Sequence, residues 1–162
     1  MLIMTKWYCC VATTKWRKSN MFLTHTNSIC ERNQAIVVSK DRGNQREHRA
    51  TNPQRLFDLR HYKLDGELFK QTKCCDFLLV NDSSHKAYLI ELKGGNIDEA
   101  VEQLEAGEQK CKEELRGYTF FYRIVCSKAK THKIQSVKFR KFKEKSGIRL
   151  KMQENRLPEI LD

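Results

Sequence analysis

Two apolar runs joined by a short polar turn constrain this 162-residue chain more than any other feature. Residues 75–80 (CDFLLV) and 86–93 (KAYLIELK) have the length and composition of strands, and residues 81–85 (NDSSH) are turn formers. Gly94 and Gly95 then lead into a stretch, 96–115, in which Ile97, Ala100, Val101, Leu104, Cys111 and Leu115 recur at helical spacing. Asn96 is placed to cap that helix, with Glu99 three residues on as in a capping box. Residues 118–127 (YTFFYRIVCS) follow as a strand apolar enough to be buried on both faces. Strand, turn, strand, helix, strand is the order of an α/β or α+β sheet domain.

The flanks are less regular. Residues 34–40 (QAIVVSK) read as a strand, and 41–54, polar and carrying Arg42, Arg46 and Arg49, as a loop. Residues 59–71 suggest a hairpin turning at Asp65-Gly66. Two more strands are expected at 133–142 and 148–152. Residues 1–33 follow no clear period, although some helix is expected there. The organisation expected is therefore one domain over 34–162, a length that suits a single core. No apolar run approaches the ~20 residues needed to span a bilayer, so no membrane contact is expected. Lys6, Lys15, Arg17 and Lys18 break up the start, which does not read as a secretory signal. The seven cysteines are odd in number and form no C-x-x-C pair. Adjacent Cys74 and Cys75 should point to opposite faces of a strand. Reduced thiols in a cytoplasmic protein are the expectation. The five histidines show no metal-ligand spacing.

Charge is unevenly spread. The formal net charge is +11, and residues 110–151 hold fourteen Lys and Arg against three Glu. Residues 90–109 hold one Lys against six acids. Asp98, Glu99, Glu102 and Glu105 read as the solvated face of the helix. A basic surface attracts phosphate backbones. The candidate nucleic-acid contacts are Lys128, Lys130, Lys133, Lys138, Arg140, Lys141 and Lys143, with Arg46 and Arg49, and Arg42 beside them, in the loop. In the run 138–145 (KFRKFKEK) Phe139 and Phe142 alternate with cations. That pattern suits base stacking beside phosphate contacts, and equally a lysine-guarded edge strand.

Residues two apart on a strand share a face, so Glu91 and Lys93 point the same way. Centring the turn between Ser83 and Ser84 pairs Val80 with Ala87, Leu78 with Leu89, and Asp76 with Glu91. Like charges directly opposite destabilise a sheet. Either one acid keeps its proton or a divalent cation lies between them. The Leu92 carbonyl would add a third oxygen ligand, and Lys93 would hold or activate a water.

Asp76, fourteen intervening residues and then Glu91-Leu92-Lys93 resembles the PD-(D/E)XK nuclease superfamily. The likeness covers residues 73–115, about a quarter of the chain, with the 118–127 strand fitting as the next core strand. It implies a restriction-endonuclease-like core, a mixed β-sheet flanked by helices. It also implies Mg²⁺ or Mn²⁺ held by Asp76 and Glu91, a water assisted by Lys93, and a nearby glutamine, matched by Gln103. Cys75 stands where the superfamily often has proline. Glu31 and Glu67 are the candidates for the acid that many members carry on a first core helix. The function implied is metal-dependent hydrolysis of nucleic acid, DNA favoured over RNA, in defence, repair or mobile-element processing. A chain with one site would dimerise, or act twice, to cut two strands. The alternative is a catalytically silent protein of the same fold that binds nucleic acid or a protein partner. A further rival is a basic protein of another α+β fold, marked by Asp76 and Glu91 on opposite faces of the sheet.

Overall fold

The computed structural model describes residues 21–127 and 136–162. Among these, the order is β1 (Ile36–Lys40), β2 (Glu47–Thr51), β3 (Leu59–Lys63), β4 (Phe77–Asn81), β5 (Lys86–Lys93), α1 (Ile97–Cys111), β6 (Thr119–Cys126), α2 (Val137–Ser146), β7 (Leu150–Glu154) and β8 (Arg156–Ile160). The strands form two mixed sheets, β3-β4-β5-β6-β7 and β1-β2-β8, flanked by the helices.

The expected centre is present. β4 and β5 pair antiparallel with Val80 opposite Ala87 and Leu78 opposite Leu89. The turn between them is tied by the Ser84 amide, which donates to Asn81 Oδ1 at 3.2 Å, and it closes with His85 at a φ of 53°. Antiparallel β3 extends the meander on one side, while β6 and β7 continue in parallel on the other. The crossover from β5 to β6 is α1. Its buried stripe, Ile97, Ala100, Val101, Leu104, Gly107 and Cys111, packs on Leu78, Val80, Ala87 and Leu89. Gly107 permits the close approach: a Cβ there would meet Cys75 Sγ at 2.6 Å. No side-chain cap hydrogen bond forms at Asn96; its amide instead donates to the Glu99 carboxylate at 3.2 Å.

The opposite face is covered by the three-stranded sheet. Val37, Ala50, Leu157 and Leu161 pack there on Leu59, Phe77, Leu79, Tyr88, Ile90 and Val125. A charged network crosses the same interface. Arg123 of β6 is 1% exposed and grips Glu159 of β8 through Nε at 2.8 Å and Nη2 at 2.5 Å. Glu159 also accepts from His48 Nε2 at 3.1 Å, with the ring as donor, and from Lys151 Nζ at 2.8 Å. Burial alone would raise the Glu159 carboxyl, but its three donors hold it well below the usual range.

Several expectations are corrected. The 41–54 segment is not wholly a loop: residues 47–51 form β2, the middle strand of the second sheet. Its buried positions include Glu47 and His48, polar groups with partners on β8, which hid it from a reading by hydrophobicity. The turn at 65–66 exists, with Gly66 at a φ of 77°, but β3 pairs with β4 and not with a strand at 67–71. Residues 137–142 are helical, not a strand, because Phe139 and Phe142 bury one side of α2 at i,i+3 spacing. Residues 133–135 of that expected strand lie outside the described residues. The last expected strand is shifted to Leu150–Glu154, and β8 follows it unforeseen. Cys74 and Cys75 precede β4 and share a side, both sulfurs facing Gly107. Cys30, Cys74, Cys75, Cys111 and Cys126 are free thiols. Residues 21–33 pack on the main body: Leu23 joins the core, and Glu114 accepts from the Phe22 and Leu23 amides at 3.0 and 2.9 Å. No described helix is long and apolar enough to cross a membrane.

Candidate active site

The β4–β5 ladder pairs Phe77 with Ile90, so one further step sets Asp76 opposite Glu91. Glu91 lies on the α1 face, as Leu89 does, while Asp76, in a bend just before β4, turns its carboxylate to the Leu92 amide. Asp76 is fixed from both sides. Its carbonyl accepts from the Leu64 amide at 2.8 Å, and its Oδ2 accepts from the Leu92 amide at 2.7 Å. In an extended strand the N–H and C=O of one residue point to the same neighbour. The Leu92 carbonyl therefore faces the same edge as Asp76.

Two carboxyl groups this close and this dry cannot both be charged at little cost. Glu91 is 1% exposed. Burial, then the charge of Asp76, pushes its pKa up to about 9, against the opposing pull of Lys93 and the Asp76 amide. Burial also raises Asp76, to about 6; the Leu92 amide counters it, and the charges of Asp41 and Asp65 add to it. At neutral pH the metal-free pair therefore carries a proton on Glu91. Its Oε2 is buried without a hydrogen-bond partner. Two carboxylates, one with an oxygen left over, and a backbone carbonyl at the same edge make a hard-oxygen donor set. That set fits a divalent cation whose remaining positions go to water or phosphate oxygens.

Lys93 is held in place. Its Nζ donates to Gln103 Oε1 at 2.9 Å and lies 3.1 Å from Glu99 Oε1. Gln103 in turn donates from Nε2 to the Cys74 carbonyl at 3.3 Å, two residues before Asp76. The glutamine thus links the lysine to the strand that carries the acid. Glu99 was missed in the sequence because the first turn of an acidic helix reads as solvated. Its neighbours are engaged as well. Asp98 accepts from Ser136 Oγ at 2.5 Å, and Glu102 pairs with both Lys73 and Lys138.

The remaining candidates scatter. Lys138, Arg140, Lys141 and Lys143 are exposed on α2, but Phe139 and Phe142 are buried beneath them and offer no face for base stacking. Arg46 donates from Nη1 to Ser127 Oγ at 2.5 Å, at the end of β6. Arg49 sits on β2 between Val38 and Pro158, on the outer face of the small sheet. Lys128, Lys130 and Lys133 lie outside the described residues. Glu31 and Glu67 are exposed and belong to no helix, and among the described residues no α-helix precedes β3.

One other metal-type cluster is present among the described residues, His25, Asp58 and Asp82. Asp82 there already accepts from Arg60 Nε and Nη2, both at 2.6 Å, and from the Tyr118 hydroxyl at 2.6 Å. Through Arg60, Asp82 thus anchors β3 to the β4–β5 turn. Comparison with known proteins brings no match: no family profile, no curated protein and no solved structure aligns with the chain.

Proposed function

We propose that this chain is a divalent-metal-dependent nuclease with a restriction-endonuclease-like core, hydrolysing phosphodiester bonds of nucleic acid. The observation that carries the reading is that Asp76, one residue before the Phe77–Ile90 pair, accepts from the Leu92 amide beside Glu91, with Lys93 next along that strand. An antiparallel meander, a crossover helix and a parallel strand surround that pair, in the order the sequence resemblance implies. DNA is favoured over RNA by analogy of fold alone.

Asp76, Glu91 and the Leu92 carbonyl would hold Mg²⁺ or Mn²⁺. When bound, the ion supplies a Lewis acid for the phosphoryl oxygens and lowers the pKa of a coordinated water. Asp76 stays fixed by the Leu92 amide and presents its other oxygen. To serve as a ligand Glu91 would have to lose its proton, so binding would be proton-linked. Lys93, steered by Gln103, directs its ammonium to the scissile phosphate or the attacking water. Glu99 competes for that ammonium until phosphate arrives.

The test is cleavage of single-stranded DNA, duplex DNA, RNA and branched junctions with Mg²⁺, Mn²⁺ or EDTA, by wild type, Glu91→Gln and Lys93→Ala. Metal-dependent cutting that both substitutions abolish is the expected result. A wild type that cuts nothing and is not stabilised by either ion would replace this reading with the catalytically silent binding protein.

A further inference from the structure

The β1–β2 connection, residues 41–46, is short, yet both its ends are tied to the main sheet. Asp41 Oδ1 accepts from Lys63 Nζ at 2.9 Å, at the last residue of β3. Arg46 Nη1 donates to Ser127 Oγ at 2.5 Å, one residue beyond β6. In sheet order β4 and β5 lie between these anchors. Both anchors sit at the end of the sheet that carries the acids. Lys63 is opposite Phe77, next to Asp76, and the Ser127 amide donates to the Lys93 carbonyl at 3.3 Å. Three strand spacings separate the anchors, roughly 14 Å, which this loop spans with its side chains. The connection is thus a strap across that end of the sheet, on the face the small sheet covers, where Lys63 lies over the Phe77 ring. A turn shapes it, with the Asn44 amide bonded to the Asp41 carbonyl at 3.2 Å and Gly43 at a φ of 74°.

The strap carries two arginines with donors to spare. Arg42 is exposed and has no ion-pair partner among the described residues. Arg46 Nε is buried and lacks an acceptor, although its Nη1 is engaged. An open groove of about 730 Å³ borders the strap, lined by Lys40, Arg42 and Lys63 together with the acids Asp41 and Glu67. By contrast, Lys138 of the basic helix is already paired with Glu102.

We infer that the 41–46 strap is a phosphate-binding element, Arg42 and Arg46 gripping the nucleic-acid backbone from the small-sheet side of the end that carries Asp76 and Glu91. Guanidinium groups suit this task because their planar fork matches two phosphate oxygens. The inference rests on the nuclease reading and deepens it: the substrate's backbone enters across the strap and the groove. Such contacts fix position without reading sequence.

The experiment measures binding of a fluorescein-labelled DNA duplex in Ca²⁺ across a salt series, and cleavage kinetics in Mn²⁺. It uses wild type, Arg42→Ala, Arg42→Lys, Arg46→Ala and, as a charge-matched control on exposed surface, Lys112→Ala. Arg42→Ala and Arg46→Ala should each weaken binding and raise KM by roughly tenfold, leave kcat within about twofold, and make the salt dependence shallower by about one counterion. Arg42→Lys should recover part of the loss, and Lys112→Ala should match wild type. Melting curves identify any variant that fails to fold, and Arg42, being exposed, keeps the test decisive if Arg46→Ala does fail. If wild type cuts while Arg42→Ala keeps its affinity and salt dependence, the strap proposal is overturned and the nuclease reading stands. A loss confined to kcat overturns it as well. If wild type neither binds nor cuts, both fall.

Discussion

Replacing Glu91 by glutamine should stabilise the metal-free protein, and by more as the pH rises. In the folded chain burial and the charge of Asp76 hold the Glu91 carboxyl at about 9, against an ordinary value of 4.5. Its folded pKa stands above its unfolded one, so unfolding releases a proton throughout the window between them. The Glu91 contribution is then fully present below about pH 4.5 and falls as pH rises towards 9, by roughly 1.4 kcal/mol per pH unit. At pH 7 the glutamine variant escapes a penalty of about 3 kcal/mol. For a chain of this size that is a rise in Tm of roughly 6–12 °C. Asp76, raised to about 6, adds to the wild-type slope with the same sign below that pH. The assay is thermal melting of both proteins in EDTA at pH 6 and pH 8. The gap between them should widen by about 3 kcal/mol over those two units. Mn²⁺ added at pH 8 should then stabilise wild type, by about 2.7 kcal/mol at a hundredfold excess over Kd, and leave the variant unmoved. A gap equal at both pH values would mean that Glu91 is charged without metal, and the account of why this pair needs a cation would fail.

Two further substitutions probe the packing that supports the site. Gly107→Ala should cost about 1–3 kcal/mol in denaturant unfolding, since the new methyl meets Cys75 Sγ at 2.6 Å, and a second substitution, Cys75→Ala, should return most of it. Arg123→Met should cost about 3–5 kcal/mol by stranding the buried Glu159 charge. Wild-type melts carried into acid should show stability lost as pH falls below the ordinary carboxylate range, because the Glu159 pKa is depressed on folding.

The centre of the molecule was legible because its signals are local. The turn at 82–85 is short, so the strands on either side have one register, and that register sets Asp76 against Glu91. α1 repeats its apolar positions over four turns, and β6 is apolar at nearly every residue. The rest depends on partners far away in the chain. Glu47 and His48 are buried on β2 only because Arg156 and Glu159 meet them there, and such residues read as loop on their own. Phe139 and Phe142 fit a cation-flanked strand as readily as one side of a helix until α1 supplies the surface that buries them. Glu99 looked solvated because Lys93 comes within reach only once β5 and α1 are folded together. The strap was visible as an arginine-bearing loop; its anchors at Lys63 and Ser127 were not.

The pairing of β2 with β8 also bears on how the chain is made. His48 and Glu159 are 111 residues apart in sequence, and the strands that carry them run side by side in the small sheet. Closing a loop of that length early brings little reward, so such contacts form late. On the ribosome β1 and β2 emerge long before their third strand is synthesised, with Val37 and Ala50 awaiting Leu157 and Leu161. The five-stranded sheet can gather as its strands arrive, but the face under Arg123 stays open until β8 has been made. Between the making of β2 and of β8 the nascent chain therefore carries an unsealed apolar surface, and that interval is when a chaperone has most to protect.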